Sequence, residues 1–291
     1  MIAAPRRSFS ISIPGRAPLV LGPRTLVMGV LNVTPDSFSD GGKALDAAHA
    51  LDIALAMEAS GADIIDVGAE STRPGAPAVS AHDEIARVLP VLKAIVPRVK
   101  LPISIDTYKA ATARVAIAEG VAIVNDISAF NYDPELAPLV AELGVPAVLM
   151  HTRGRPDDMY AHADYKDVVG EVISDLQRSI SHAHGLGVRF EQMIVDPGLG
   201  FAKRAPQSLA ALVGLDRLAE LGLPILVGPS RKSFLAAATG PLPPDERDWP
   251  TAAAVTAAIL GGAHIIRVHA VEKMTHVARV ADALRLAAAG R

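Results

Sequence analysis

The 291-residue sequence contains no cysteine, carries almost balanced charge and lacks a long uninterrupted apolar run. Without cysteine there can be no disulfide bond, thiolate nucleophile or thiolate metal ligand, which fits a reducing cytoplasm. Any metal ion must therefore be held by oxygen or imidazole. The 28 basic and 31 acidic side chains give a formal net charge of −3. That balance argues against a nucleic-acid or anionic-membrane partner, so any anion site must be local.

Signals for secretion or membrane insertion are also lacking. The N-terminal segment has no apolar core of about 7–15 residues, as a signal peptide requires. The most membrane-like stretch, 250–267, is interrupted by Gly261 and Gly262 and carries His264. It falls short of the roughly 20 apolar residues that a spanning helix needs. We therefore expect no membrane association and a cytoplasmic location.

What the chain does have is apolar content: half of its residues are hydrophobic and 20% are charged, which is typical of a globular protein with a large core. Its length could make two domains, but α/β barrels commonly take about 250 residues as one. We expect a single domain over 1–291. Phe9, Ile11 and Ile13 alternate with small or polar residues, which predicts an N-terminal β-hairpin over 1–22 that closes the barrel floor.

Short β-branched runs recur along the chain, each followed by an amphipathic stretch rich in alanine and leucine. This alternation is typical of βαβ units on a parallel sheet. Eight units without a GxGxxG turn favour a (β/α)8 TIM barrel, although the alternation does not exclude an open doubly wound sheet. The proline-rich, charged segment 241–249 is expected to be a surface connection. The predicted strands are Leu26–Val30, Ile64–Val67, Ile103–Ile105, Ala122–Val124, Ala147–Leu149, Met193–Val195, Ile225–Val227 and His264–Val268.

Polar or glycine-rich clusters follow all eight predicted strands. In a parallel barrel these strand ends face one mouth, where enzymes of this fold carry their chemistry. Charged groups beside apolar strands lose free energy unless they are paired or bound to a ligand. Their convergence predicts a binding site, and the alternative is a satisfied ion network that plugs the barrel. In chain order the strand ends read NVTPDSFSDGG, GAESTRPG, DTYK, ND, MH, DPGLGFAK, GPSRKSF and RVH.

The phrases NVTPDSFSDGG, ESTRPG, IDTYK, VNDI, DPGLGFAK, GPSRKSF and RVH resemble the successive motifs of the dihydropteroate synthase family, in the same order, from Asn32 to His269. The resemblance implies an enzyme of folate biosynthesis with a TIM barrel. It implies that 4-aminobenzoate attacks 6-hydroxymethyl-7,8-dihydropterin diphosphate, giving 7,8-dihydropteroate and diphosphate. It also implies Mg2+ as cofactor, a homodimer and sulfonamides as competitors of 4-aminobenzoate.

For the pterin, the resemblance implies a pocket at the barrel mouth. A pterin presents a guanidine-like edge of N–H donors, for which a carboxylate such as Asp196 is a matched acceptor. Lys232 would donate to the pterin and lie beside the reacting carbon, as a catalytic residue. The residues implied to bind the pterin are Asp106, Asn125, Met150, Asp196, Phe201, Gly228 and Lys232.

For the diphosphate, the expected ligands are Asn32, Arg73, Arg267 and His269. Arg267 and His269 are two residues apart and so leave the last strand on one side. Arg73 is expected to be catalytic, because cations that bind departing diphosphate more strongly than the bound ester accelerate the step. Mg2+ prefers oxygen ligands, and Asn32 with Asp40 is expected to hold it.

For 4-aminobenzoate, the resemblance implies a pocket closed by the loop 33–42, with Asp40 as a third catalytic residue that stabilises the developing anilinium. Barrels often bind phosphate at the short helix after the seventh strand, whose N-terminus we expect at the 228–230 turn. A helix N-terminus accepts either anion, and the resemblance assigns the 4-aminobenzoate carboxylate to it. The implied pocket residues are Phe38, Thr72, Pro74, Phe201 and Ser230.

Two rival functions are considered. Methyltransferases that use methyltetrahydrofolate share a barrel and an acidic pterin floor, but they need no pair of anion-binding arginines. A catalytically silent pterin-binding protein has no reason to retain Lys232 and His269. The chain also departs from the commonest family pattern at Ala270, at Arg204 and in the HTRG that follows Met150. None of these departures removes an expected ligand.

Overall fold

The structure, a computed structural model, describes residues 4–33, 43–73 and 75–289. Each of the eight predicted barrel strands is present, with ends within two residues of the expected ones, and a short hairpin precedes them. The strands are β1 Phe9–Ile11, β2 Leu19–Leu21, β3 Leu26–Asn32, β4 Ile64–Gly68, β5 Ile103–Asp106, β6 Ile123–Asp126, β7 Ala147–Met150, β8 Met193–Asp196, β9 Leu226–Val227 and β10 Ile265–Val268.

The eight parallel strands form one sheet in the order β8-β7-β6-β5-β4-β3-β10-β9. The two outer strands of this order approach one another through a parallel bridge between Val195 and Ile225. There the Val195 N–H donates to the Pro224 carbonyl at 2.9 Å. The sheet is therefore a nearly closed barrel, which confirms the TIM-barrel expectation and excludes the open doubly wound sheet.

Helices follow the strands and cover the outside of the barrel. Within the described ranges, no helix is both long enough and apolar enough to cross a membrane. The helices are α1 Lys43–Ala59, α2 Ala81–Ile95, α3 Ala110–Ala118, α4 Leu136–Leu143, α5 Val168–Gly185, α6 Ala205–Val213, α7 Leu215–Leu218, α8 Ala236–Thr239, α9 Asp248–Leu260 and α10 Val271–Ala289.

The segment 241–249 is more ordered than the sequence suggested. It contains a 3-10 turn at Pro244–Glu246 and the first residues of α9. The physical reason is Asp248, whose carboxylate accepts hydrogen bonds from Arg231 at 2.9 Å and Lys273 at 3.0 Å. These long-range contacts stabilise the first turn of α9, and local composition does not reveal them.

The N-terminal hairpin closes one end of the barrel, as expected. β1 and β2 pair antiparallel, with Phe9 opposite Leu21. Ile11, Ile13 and Leu21 are buried against the apolar side chains at the N-terminal ends of the barrel strands. Burying such side chains contributes about 1.5–3 kcal/mol each, so the hairpin stabilises the floor.

Strand alternation then positions the interior. Successive side chains of a strand point to opposite faces, so residues two apart share the inside of the barrel. The layer of inward-facing side chains next to the N-terminal hairpin is apolar. The next layer, nearer the mouth of the barrel, is largely polar. The apolar layer contains Met28, Ile64, Ile123, Val148, Ile194, Leu226 and Ile265. Two residues after each of these seven side chains, in the same order, are Val30, Asp66, Asn125, Met150, Asp196, Gly228 and Arg267.

Candidate active site

An ion network occupies the polar layer of the barrel. Arg267 donates from Nε to Asp66 Oδ2 at 2.6 Å and from Nη2 to Asp106 Oδ2 at 2.7 Å. Asn125 donates from Nδ2 to the same Asp66 oxygen at 3.0 Å. The structure thus brings three predicted site residues together, but it directs the Arg267 guanidinium toward carboxylates at the pterin end of the expected site.

Asp66 was missed by the sequence analysis. It lies inside β4, two residues before the strand end, and its side chain is fully buried. The available signal was a carboxylate within the apolar run IIDVG, because a charge in a buried strand needs a partner or a ligand.

This network is not fully satisfied within the described part of the chain. Asp66 Oδ1 is buried there without a hydrogen-bond partner. Burial, which the Arg267 charge offsets only in part, raises the pKa of Asp106 to about 7, and the neighbouring Asp66 adds to the shift. A buried acceptor without a partner and a carboxyl whose pKa is raised favour a ligand site over a satisfied structural plug.

Asp196 and Lys232 form the opposite side of the same layer. Asp196 Oδ1 accepts from the Gly198 N–H at 2.7 Å, and no described residue donates to its Oδ2. The Lys232 ammonium donates to the Leu199 carbonyl at 2.6 Å and lies 4.6 Å from the centre of the Phe201 ring. Burial lowers the pKa of Lys232 to about 8, and the Asp196 charge opposes that shift.

Apolar walls flank these charges. Met150 packs in a small cluster with Tyr108 and Ile127, and Phe201 packs against that cluster. At Gly228, an added Cβ would lie 3.7 Å from Arg267 Cβ and 4.0 Å from Lys232 Nζ. Apolar side chains and the bare backbone of Gly228 therefore lie close to the charged groups of this layer.

A second polar group lies beyond Arg267 on the last strand. The Ser230 hydroxyl accepts from the His269 N–H at 3.2 Å and lies 2.9 Å from His269 Nδ1. Where the Ser230 hydroxyl donates to Nδ1, the ring proton lies on Nε2; in the other tautomer Nδ1–H donates to the hydroxyl oxygen. Ser230 and His269 had been assigned to two different anions, and they are in direct contact.

His269 is less basic than expected. Burial, together with the charges of Arg267, Arg231 and Arg73, lowers the pKa of His269 to about 4, and the charge of Asp248 opposes that shift. The imidazole is therefore neutral in the free protein near pH 7 and acts as a hydrogen-bond donor. Positive charge at this end of the site comes from the guanidiniums, including Arg231, which the sequence analysis did not consider.

The short helix after the seventh barrel strand begins later than expected. Its first turn is a 3-10 turn over Ser233–Leu235, so the expectation of a helix N-terminus at 228–230 is wrong. The cause is Arg231, whose φ of 59° is left-handed and interrupts the turn before Lys232. The Arg231 N–H instead donates to Thr251 Oγ1 at 3.0 Å.

Several predicted residues belong to loops at the mouth. Asn32 ends β3 and is half-buried, Thr72 is half-buried and Arg73 is exposed. Phe38, Asp40 and Pro74 lie outside the described residues. Within the described ranges there is no group of three or more histidine or acidic side chains that could hold a metal ion.

Comparisons with known proteins agree with this geometry. A family model for pterin-binding enzymes matches residues 28–269. The dihydropteroate synthase of Synechocystis sp. is 47% identical over 263 residues, which cover 90% of this chain and 91% of the relative. The chain belongs to the dihydropteroate synthase family. This confirms the family, the enzyme class and the place in folate biosynthesis that the seven motifs implied.

Solved structures of the family extend the likeness to three dimensions. The dihydropteroate synthase of Xanthomonas albilineans, solved with 4-aminobenzoic acid, has a TM-score of 0.88 and 39% identity, covering 96% of this chain and 99% of that one. The same enzyme solved with 7,8-dihydropteroate has a TM-score of 0.84 and 36% identity, covering 95% and 98%. The dihydropteroate synthase barrel is thus shared over nearly the whole chain.

Proposed function

We propose that the barrel mouth joins the methylene carbon of 6-hydroxymethyl-7,8-dihydropterin diphosphate to the amine of 4-aminobenzoate, releasing diphosphate and 7,8-dihydropteroate. One observation carries the proposal: the polar layer combines Asp66, which has an unpaired buried oxygen, with Asp106 and Asp196 near Lys232, and guanidinium charges lie near neutral His269. The carboxylates suit a heterocycle rich in N–H donors, and the guanidiniums suit an anionic leaving group.

The pterin would bind in the polar layer. Asp196 Oδ2, to which no described residue donates, would accept from the guanidine-like edge. Asn125 can donate and accept, so it suits the remaining mixed edge of the ring. Asp106 would accept from a further ring N–H, or donate in its protonated form, since its pKa is about 7. Asp66 would hold Arg267 and Asn125 in place.

Lys232 would contact both the pterin and the reacting end of the molecule. With a pKa of about 8 it is largely protonated at neutral pH and can donate to the pterin carbonyl or ring nitrogen. Phe201 and Met150 would pack against the ring faces. Gly228 would leave room for the ligand close to Lys232.

The diphosphate would lie toward Asn32, Arg73 and His269, with Arg267 at its inner end. The Nε2–H of neutral His269 would donate to a phosphate oxygen, and bound phosphate would raise the pKa of this ring. Charge develops on departing diphosphate as the carbon–oxygen bond breaks, so guanidiniums placed there stabilise the transition state more than the bound ester.

Mg2+ would bind beside the diphosphate. The amide oxygen of Asn32 is a suitable hard donor, and Asp40 is the predicted second ligand. Magnesium usually keeps several waters and uses one or two protein oxygens with substrate phosphates, so the scarcity of described acidic clusters is compatible with it. When bound, the ion would neutralise part of the leaving group's charge.

4-Aminobenzoate would occupy the outer part of the mouth. Ser230 would contact its carboxylate, with Thr72 and Phe201 beside the ring and Phe38 and Pro74 as further predicted contacts. An aniline nitrogen is already nucleophilic at neutral pH, so the residues act chiefly by positioning it against the carbon and by excluding water. Asp40 would stabilise the developing anilinium.

The test is turnover. Purified protein is mixed with the pterin diphosphate, labelled 4-aminobenzoate and Mg2+, and labelled dihydropteroate is measured by chromatography. We expect product only when all three are present. Methyl transfer from methyltetrahydrofolate, or pterin binding without product, would contradict the proposal in favour of a methyltransferase or a silent binding protein.

We also propose that the enzyme is a cytoplasmic homodimer. Support comes from α10, which exposes Val280 at 62% and Leu284 at 53%, one helical turn apart, and Leu286 at 58%. Large exposed apolar side chains that lie on one helix are a common feature of subunit interfaces.

A further inference from the structure

Lys203 is almost completely buried, at 1% exposure, although its ammonium group is costly to remove from water. It ends the loop 197–203 that follows β8. Its Nζ lies 2.7 Å from His151 Nδ1, 3.0 Å from the Phe201 carbonyl and 3.2 Å from the Gly198 carbonyl. Burial lowers the pKa of Lys203, and the charge of Asp196 opposes that shift.

The neighbours of His151 define its tautomer. Its Nε2 lies 3.0 Å from Asp175 Oδ2. Although burial disfavours charge on Asp175, hydrogen bonds from His151 and Arg153 hold its pKa well below the usual range. The Asp175 carboxylate therefore accepts the Nε2 proton, and Nδ1 is left as an acceptor. Lys203 Nζ then faces four acceptors, Nδ1 and the carbonyls of Phe201, Gly198 and His151, the last at 3.5 Å, and these acceptors favour the protonated ammonium.

Lys203, His151 and Asp175 form a chain of hydrogen bonds, and its Asp175 end reaches solvent. His151 and Asp175 line an open cavity of about 610 Å3 between the loop after β7 and α5, with Arg153 at its edge. Arg153 donates to Asp175 at 2.9 Å and to Glu171 at 2.9 Å. The charge on Lys203 is thus linked, through neutral His151, to a carboxylate that other cations hold in place.

The Lys203 end of this chain contacts the loop that follows Asp196, the carboxylate proposed to bind the pterin. Gly198, whose carbonyl Lys203 binds, donates its N–H to Asp196 Oδ1 at 2.7 Å. The His151 N–H donates to the Asp196 carbonyl at 2.9 Å. Asp196 is therefore held at its main chain by His151 and at its side chain by Gly198, two of the residues that Lys203 contacts.

The loop needs such support because its backbone is strained. Ala202 has a φ of 47°, a left-handed conformation that costs free energy for a residue with a Cβ, whereas Gly198 adopts its φ of 65° freely. A Cβ added at Gly198 would lie 1.9 Å from the His151 carbonyl oxygen, so the two segments are in close contact. Lys232 holds the Leu199 carbonyl from the ligand side, and Lys203 holds its two carbonyls from beneath.

We propose that Lys203 is a positioning residue for the reaction: its ammonium, oriented by His151 and Asp175, fixes the loop 197–203 so that Asp196 and Phe201 face the pterin. This inference rests on the proposed function and adds a residue that does not itself touch substrate. Removing the ammonium frees two carbonyls and relaxes the left-handed turn. The Asp196 carboxylate then binds the pterin from a range of orientations.

The test compares Lys203→Met with Arg6→Met. Methionine keeps the apolar stem and removes the charge. Arg6 is an equally buried cation at the far end of the barrel, where it donates to Asp282 at 2.9 Å. Calorimetric titration with 6-hydroxymethyl-7,8-dihydropterin, which lacks the diphosphate, measures affinity, and urea unfolding measures stability. We expect both variants to lose stability, and only Lys203→Met to bind the pterin about tenfold more weakly, as for a lost hydrogen bond to a charged group.

If Lys203→Met does not fold, His151→Asn and His151→Leu decide the question. Asparagine retains an acceptor near the position of Nδ1, and leucine does not. We expect pterin affinity within about threefold of the parent protein for asparagine and a loss of about tenfold for leucine. Equal affinities in these two variants, or parent-like affinity in folded Lys203→Met, would overturn the inference. Failure of the parent protein to bind pterin would instead contradict the proposed function.

Discussion

Arg267 has a different environment from the one that its position in the RVH motif suggested. It stands at the end of the last strand, where a cation for diphosphate was expected, but its guanidinium binds Asp66 and Asp106 deep in the barrel. Arg267 is largely buried, with 20% of its side chain exposed, and it joins the fully buried Asp66 to Asp106. Removing such a cation leaves carboxylates without their partner, which is strongly destabilising. Its loss should therefore affect folding and pterin binding together.

Arg267→Ala and Arg73→Ala together test whether Arg267 stabilises the ion network with Asp66 and Asp106. We expect Arg267→Ala to lower the free energy of unfolding by about 3–5 kcal/mol at pH 7, because Asp66 and Asp106 lose their cation. Arg73 is exposed, so its alanine variant should stay within about 0.5 kcal/mol of the parent protein and weaken only diphosphate binding. Urea unfolding and calorimetric titration with inorganic diphosphate measure the two effects. Equal stability of the two variants would show that Arg267 does not hold the network together.

Elements differ in how far the sequence predicts them. The barrel strands follow from their β-branched runs, and the polar inner layer follows from two-residue alternation once the strands are placed. Closure between Val195 and Ile225 depends on residues 30 positions apart in sequence, and no local pattern encodes it. The start of the short helix at Ser233 depends on the left-handed Arg231, whose N–H is held by Thr251.

The candidate site likewise has features that the sequence predicts and features that it does not. Asp106, Asn125, Asp196, Lys232 and Arg267 were predictable, because they stand at strand ends in a fold that places ligands there. Which of them pair with each other was not predictable from spacing alone, since register and side-chain direction decide it. The contact between Ser230 and His269 joins two strand ends 39 residues apart.

The packing of the N-terminal hairpin against the barrel can be tested through His264. His264 accepts from the Ile225 N–H at 3.0 Å through Nδ1 and donates to the Arg7 carbonyl at 3.0 Å through Nε2. Its ring also packs edge-on against Phe9 of β1, with ring centroids 5.2 Å apart. Both ring nitrogens are used by the neutral form, and burial lowers the pKa of His264 to about 4.

We expect the His264 imidazole to titrate near pH 4 by NMR while the protein stays folded. Its unfolded pKa is about 6.5, so below that pH the unfolded chain binds the extra proton and the free energy of unfolding falls until about pH 4. The stability advantage of the parent protein over His264→Asn should be greatest above pH 6.5 and shrink toward pH 4. A midpoint near 6.5 for His264 would mean that the hairpin does not hold the ring.

At the scale of the whole molecule, the barrel has two dissimilar ends. The hairpin and an apolar layer close the floor, and incompletely satisfied charges line the mouth. The exposed apolar side of α10 lies outside both and is the surface that we assign to the homodimer.

Sedimentation velocity tests that assignment. We expect the parent protein to sediment at twice the chain mass of 30.3 kDa, and Leu284→Lys to sediment as a monomer because a charge would be buried in the interface. Leu186→Lys, a similar change just after α5, should leave the dimer intact. A parent protein that is monomeric at micromolar concentration would contradict the dimer, and dissociation by both variants would contradict the assigned surface.

We assign pterin binding at the barrel mouth chiefly to the Asp196 carboxylate. Calorimetric titration of the parent protein and of Asp196→Asn with 6-hydroxymethyl-7,8-dihydropterin measures this most directly. We expect the amide to weaken pterin binding by about 1–3 kcal/mol, because it opposes a donor to the donor edge of the ring. Binding of 4-aminobenzoate by the pterin-bound form at saturating pterin should remain. If Asp196→Asn bound the pterin as tightly as the parent protein, the assignment of the pterin to this layer would be wrong.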